Sequence, residues 1–164
     1  MLRDKNLIPL SHQHQRALAL CVRIERAYPI RNSDLEVWQR EITQLFQNEV
    51  AVHFAAEERV VFPAVRRFDE LVPLVEELIA DHAELRASLA RAGANEMSAI
   101  ELADFARGLS THIRKEERQL FEQMQKLMHL DELAVLGQAL ADALADAEQA
   151  CQMPAEITKV RPAK

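Results

Sequence analysis

The sequence predicts an all-α protein: an antiparallel up-down four-helix bundle with an additional C-terminal helix. Three observations carry that expectation. Only three glycines occur in 164 residues, against many Ala, Leu, Glu, Gln and Arg, which lose little on entering a helix. Apolar residues recur every three or four positions over long stretches and nowhere alternate as a strand requires. Prolines and capping sequences cut the chain at intervals suited to helices of several turns.

The elements follow in order. Pro9 is expected to precede the first helix and Pro29 to close it. Ser33-Asp34-Leu35-Glu36 reads as a capping box opening a second helix to about Arg67, with Pro63 kinking or ending its last turn. Asp69 can cap a third helix, in which Pro73 is near enough to the start to be tolerated, and Gly93-Ala94-Asn95 breaks it. Ser98-Ala99-Ile100-Glu101 is a second capping box, for a helix running to about His129. Asp131 to about Ala150 reads as an Ala-rich fifth helix with Leu133, Leu136, Leu140 and Leu144 on one face. Residues 1–150 are expected to form one domain and 151–164 a tail, disordered from Pro154 onward.

Composition excludes several classes of function. A formal net charge of −6 argues against a nucleic-acid surface, and the basic end Lys159-Val160-Arg161-Pro162-Ala163-Lys164 reads as a solvated terminus. No apolar run reaches the roughly 20 residues of a membrane span, and no signal-peptide core follows Met1. Two cysteines, Cys21 and Cys151, suit a reducing cytoplasm. Cys21 lies on an apolar face and reads as structural, while Cys151 could be exposed.

The apolar stripes are interrupted at particular places. In the first helix the stripe is Leu10, Ala17, Cys21, Ile24 and Tyr28, with His14 in its gap. In the third it is Leu71, Val75, Leu78, Leu85 and Leu89, with His82 in the gap. In the fourth, Leu102, Phe105, Leu109, Ile113, Leu120 and Met124 leave gaps filled by His112 and Glu116. The second helix carries His53 and Glu57 beside Phe46, Val50, Val60 and Val61. Helices two and four also share a segment, His-x-x-x-Glu-Glu-Arg-x-x-Phe, at His53–Phe62 and His112–Phe121. At about 1.5 Å rise per residue, the distances of these groups from the turns place all six at one level of an antiparallel bundle.

Buried carboxylates and imidazoles without partners are costly, so four His and two Glu in one core layer require compensation. A pair of divalent metals supplies it, each imidazole binding terminally and each Glu bridging through two oxygens. Ligands of nitrogen and oxygen without thiolate favour iron, manganese or zinc. A single His-x-x-x-Glu pair is more often a surface ion pair; the duplication, the gap histidines and the shared level reverse that reading. His12 and His129 lie off the pattern and read as surface residues. Glu58 and Glu117 read as outer groups, and Asp81 could orient a ligand imidazole.

This pattern resembles the hemerythrin-like, or HHE cation-binding, family in Pro9–His14, His53–Pro63, Asp81–Leu85 and His112–Phe121. The resemblance implies metal ligation by His14, His53, Glu57, His82, His112 and Glu116, in a non-haem di-iron centre with an oxo or hydroxo bridge, with zinc or manganese as alternatives. The oxygen-carrying hemerythrins have a second histidine four residues away in the third helix, where this chain has Leu78 and Arg86. They use Asp five residues after the fourth-helix histidine, whereas Glu116 lies at i+4 and Glu117 occupies i+5. One histidine fewer leaves room for an exogenous ligand. Ferritin-like bundles carry Glu-x-x-His, which this chain lacks. The leading expectation is a di-iron module that binds or senses oxygen, nitric oxide, peroxide or iron. A di-iron enzyme for peroxide reduction or oxygen activation is the second reading, and a metal-free helical interaction protein the third. The fifth helix could pack on its own bundle, on a second copy or on a protein partner.

Overall fold

The computed structural model describes residues 2–152, with side chains to residue 145. The expected disorder from Pro154 and the reactivity of Cys151 lie outside the described residues and side chains. Five helices and no strand occur among the described residues: α1 (Ile8–Ala27), α2 (35–65), α3 (Val72–Gly93), α4 (99–127) and α5 (Leu130–Gln152). The first four form the antiparallel bundle, with α1 packed along α4 and α2 along α3. No described helix is long and apolar enough to cross a membrane.

The helix starts refine the sequence expectation. Pro9 does not precede α1 but sits in its first turn, where a missing N–H costs no hydrogen bond. The Ser98 box forms in full: Glu101 N–H donates to Ser98 Oγ at 3.3 Å, and Ser98 N–H donates to Glu101 Oε2 at 2.8 Å. The Ser33 box does not form. A 3-10 turn over Asn32–Asp34 already places Ser33 in helical conformation, and its hydroxyl donates to Asp34 Oδ1 instead. Asp69 likewise starts a 3-10 turn, Asp69–Leu71, rather than capping α3 with its side chain.

The ends differ by a residue or two. α2 stops at Val65 and α4 at Leu127, where Met128 turns to extended backbone. Asn95, not Gly93, takes the left-handed conformation after α3, with φ 58°. Tyr28 is a correction: it was expected on the buried stripe and is 50% exposed. It is the extended residue that ends α1, so it leaves the helical spacing, and Ile30 is buried instead.

Three stretches have π-helical pairing: Phe46–Val50 and Glu57–Val61 in α2, and Glu116–Leu120 in α4. The last two fall at the same place in the duplicated segment. Pro63, expected to kink or end the helix, follows the second π turn and leaves it continuous to Val65. A π turn already departs from the i to i−4 ladder, which suits a residue with no N–H to give.

The apolar interior is divided in two. One cluster contains Leu7, Leu10, Val61, Phe62, Leu78, Leu120 and the Leu133, Leu136 and Leu140 face of α5. The other contains Ala17, Cys21, Phe54, Leu85, Leu109 and Ile113. The apolar face of α5 therefore packs on its own bundle. Gly137 permits that closeness, because a Cβ there would lie 2.5 Å from Asn6 Oδ1. Between the two clusters lies a layer of buried polar residues.

Candidate metal centre

That layer consists of His14, His53, Glu57, His82, His112 and Glu116, each no more than 3% exposed. All six predicted site residues are thus brought together, one imidazole from each bundle helix and one carboxylate from each of α2 and α4. His12 and His129 are exposed, as their positions off the stripes require.

The six residues form two overlapping groups. His14, His53, Glu57 and Glu116 make one, and Glu57, His82, His112 and Glu116 the other, with candidate ligand atoms within 4.8 Å of one another in each. The imidazole Nε2 atoms pair within each half, at 2.9 Å for His14 and His53 and 3.1 Å for His82 and His112. Both carboxylates straddle the halves. Glu57 Oε1 is 3.2 Å from His53 Nε2 while its Oε2 is 3.4 Å from His82 Nε2. Glu116 Oε2 is 3.1 Å from His14 Nε2 while its Oε1 is 3.3 Å from His112 Nε2.

The outer nitrogens fix the tautomers. His14 Nδ1 lies 2.7 Å from Glu117 Oε1 and His53 Nδ1 lies 2.7 Å from Gln13 Oε1. His82 Nδ1 lies 2.8 Å from Glu58 Oε1 and His112 Nδ1 lies 3.3 Å from Asp81 Oδ2. Each outer group presents an oxygen acceptor, so each imidazole can donate its Nδ1–H outward and turn Nε2 inward, where Nε2 of an imidazole that has given up its second proton offers a lone pair. The partners run around the bundle, from α1 to α2, α2 to α3, α3 to α4 and α4 back to α1.

This ring accounts for most of the duplicated segment. Its His and first Glu enter the layer, and its second Glu accepts from the histidine of a neighbouring helix. Its Phe packs on that same histidine, Phe62 against His82 and Phe121 against His14, with centroids 5.5 and 5.8 Å apart. The π turns begin at the first Glu. A wider turn rotates less per residue than the α-helix, which lets two consecutive glutamates serve the site. The shared Arg59 and Arg118 are exposed.

Glu58, Glu117 and Asp81 take the outer places expected of them; Gln13 and Arg3 were missed. The clue to Gln13 is the correspondence of Gln13-His14 with Asp81-His82. Arg3 donates to Glu117 at 2.6 Å and lies over the Phe121 ring, a contact across 114 positions that no local pattern reveals.

The carboxylates of the layer face only the imidazoles. None of the four oxygens of Glu57 and Glu116 receives a hydrogen bond. Burial and the neighbouring Glu116 push the Glu57 carboxyl up to about 7. Burial opposes charge on His14 and His112, but Glu116 with Glu117 or Asp81 outweighs it and raises them to about 9 and about 10. Burial and the charged His14 push His53 down to about 3. Cys21 is separate: burial first, then Glu25, raises its thiol to about 12, which suits an inert core residue.

The inward groups fit metal ions. Neighbouring ligands held about 2.1 Å from one octahedral ion lie about 3 Å apart, close to the spacing seen in each half. The family model of the hemerythrin HHE cation binding domain matches residues 9–124. The chain belongs to the hemerythrin HHE cation binding domain family. No curated protein and no solved structure matches it. The HHE domain match ends at residue 124, so α5 lies outside it, as an addition to the cation-binding bundle.

Proposed function

We propose that this HHE domain holds two iron ions, one per half, and uses them to bind or sense a small ligand such as oxygen, nitric oxide or peroxide. The observation that carries this reading is the convergence of four inward Nε2 atoms on four carboxylate oxygens without a hydrogen bond. His14 and His53 would hold one ion and His82 and His112 the other, with Glu57 and Glu116 bridging both. Each half would offer an ion two imidazole nitrogens and oxygens of both carboxylates. The metal pair would supply Lewis acidity and, as iron, redox capacity.

The surrounding residues support a small ligand over an organic substrate. Each site residue is almost completely buried, and the void beside His14, His53 and His112 is lined chiefly by Ala17, Val50, Phe54, Leu109 and Ile113. Its free volume, about 10 Å³, is at the lower limit for one water molecule and leaves no room for an organic substrate. Apolar walls exclude bulk water and hold the imidazoles in place.

Metal content by elemental analysis, with an optical spectrum of the same aerobically purified sample, tests this reading. About two irons per chain, with absorption from an oxygen-bridged pair, is the expected result. Protein that takes up no metal after anaerobic reconstitution with ferrous iron would overturn it.

A further inference from the structure

We propose that the two halves bind metal unequally, and that Gln13 makes the His14–His53 half the weaker one. This rests on the reading that both halves take a metal ion. The bundle supplies its own internal comparison, because the two halves are built from equivalent residues. Glu57 corresponds to Glu116, Glu58 to Glu117 and Phe62 to Phe121, identical in each pair. In the ring of acceptors only one correspondence changes charge. Gln13 reaches His53 from the helix before it, and Asp81 reaches His112 in the same way.

The difference acts on the metal through the imidazole. A carboxylate accepting from Nδ1–H raises the basicity of Nε2, whereas a neutral amide does so far less. Both histidines of the His82–His112 half face carboxylates, Glu58 and Asp81. In the other half His14 faces Glu117 and His53 faces Gln13 at 2.7 Å, a short bond to an uncharged acceptor. Asp81 lies farther from its ring, at 3.3 Å, but retains its full charge there. Each of the three carboxylates also holds a partly exposed cation: Arg3 on Glu117, Arg86 on Glu58 and Lys115 on Asp81. These cations temper the carboxylates without removing their charge, and Lys115 is shared between Asp81 and Glu77, 2.8 and 2.6 Å away, so Asp81 still differs from the uncharged Gln13. Loss of an outer partner typically costs about 10- to 100-fold in metal affinity, an upper bound on the inequality because Gln13 keeps its hydrogen bond to His53.

Titration of the metal-free full chain with Co(II), against a chromophoric chelator, reads the two affinities. Repulsion between two dications separates the steps even for equal halves, so the position of the first ion and the response to substitution carry the test. Crystals grown with one equivalent of Co(II) are expected to show anomalous scattering mainly between His82 and His112. Gln13→Glu is expected to tighten the second step within that bound. Asp81→Asn is expected to weaken the first and redistribute the single ion toward His14 and His53. A single ion shared equally or seated at His14 and His53, or a folded Gln13→Glu protein with an unchanged second step, would overturn the proposal. Should Gln13→Glu not fold, the wild-type crystal and Asp81→Asn decide it. Cobalt at neither half would instead overturn the underlying metal reading as well.

Discussion

Glu117 Oε1 accepts the Nδ1 hydrogen of His14 at 2.7 Å, although 103 positions separate the two residues. The bond joins the fourth helix to the first and orients an imidazole from outside the polar layer. Arg3 in turn holds Glu117 from the solvent side, donating to its carboxylate and to its backbone carbonyl at 2.6 Å.

Glu117→Ala should therefore weaken metal binding at the His14–His53 half by about 10- to 100-fold. Helix content should be unchanged, because Glu117 is only partly buried. Competition titration with circular dichroism on the same samples checks both statements. A collapse of helicity would show that the residue is needed for folding rather than for orientation.

Glu57→Gln should separate stability from metal binding. Both oxygens of Glu57 are buried without a hydrogen bond, and a neutral amide of the same shape removes the burden of a charge there. Metal-free Glu57→Gln should melt above the metal-free wild type, by several degrees for about 1 kcal/mol or more. With metal the order should reverse if Glu57 bridges the two ions as proposed, since one carboxylate oxygen is then lost. Thermal melts of both proteins with and without metal give the answer.

The metal-free protein should lose stability as pH rises from 7 to 9. His14 is raised to about 9 and His112 to about 10, so their contribution is complete below 6.5 and disappears through those higher values. Glu57, raised to about 7, acts in the same direction at lower pH, where His53, lowered to about 3, opposes it. Above pH 7 only the falling contribution of the two raised histidines remains from this set, on the order of a few kcal/mol. Metal loading in this range should release about two protons per chain, because ligated imidazoles cannot keep them. Urea melts at several pH values and calorimetric titration in buffers of different ionisation enthalpy measure the two effects.

The two serine boxes should respond differently. Ser98→Ala removes a formed cap and should cost about 1 kcal/mol. Ser33→Ala removes a hydroxyl bonded only to the neighbouring Asp34 side chain and should change stability by less than about 0.5 kcal/mol. Equal losses in chemical denaturation would contradict the assignment of the caps.

The bundle and its polar layer were legible in the chain because both rest on spacing. Leu78, Leu85 and Leu89 share a face with His82 whatever the neighbouring helices do, and the repeated His-x-x-x-Glu-Glu marks equivalent turns of α2 and α4. The failures are local. Ser33-Asp34-Leu35-Glu36 has the same pattern as Ser98-Ala99-Ile100-Glu101, yet the 3-10 turn at Asn32 removes the backbone shape its cap needs. Tyr28 continues the spacing of α1 after the helix has ended.

Periodicity thus decided which residues turn inward, since helical geometry is a property of one chain segment. Packing decided what each inward group meets. That Glu57 and Glu116 each span both halves, that Gln13 and Asp81 occupy equivalent places, and that α5 covers its own bundle depend on rotations and distances between helices. The π turns at Glu57 and Glu116 belong with these: an extra residue per turn weakens local hydrogen bonding, and the layer it helps build exists only once four helices have met.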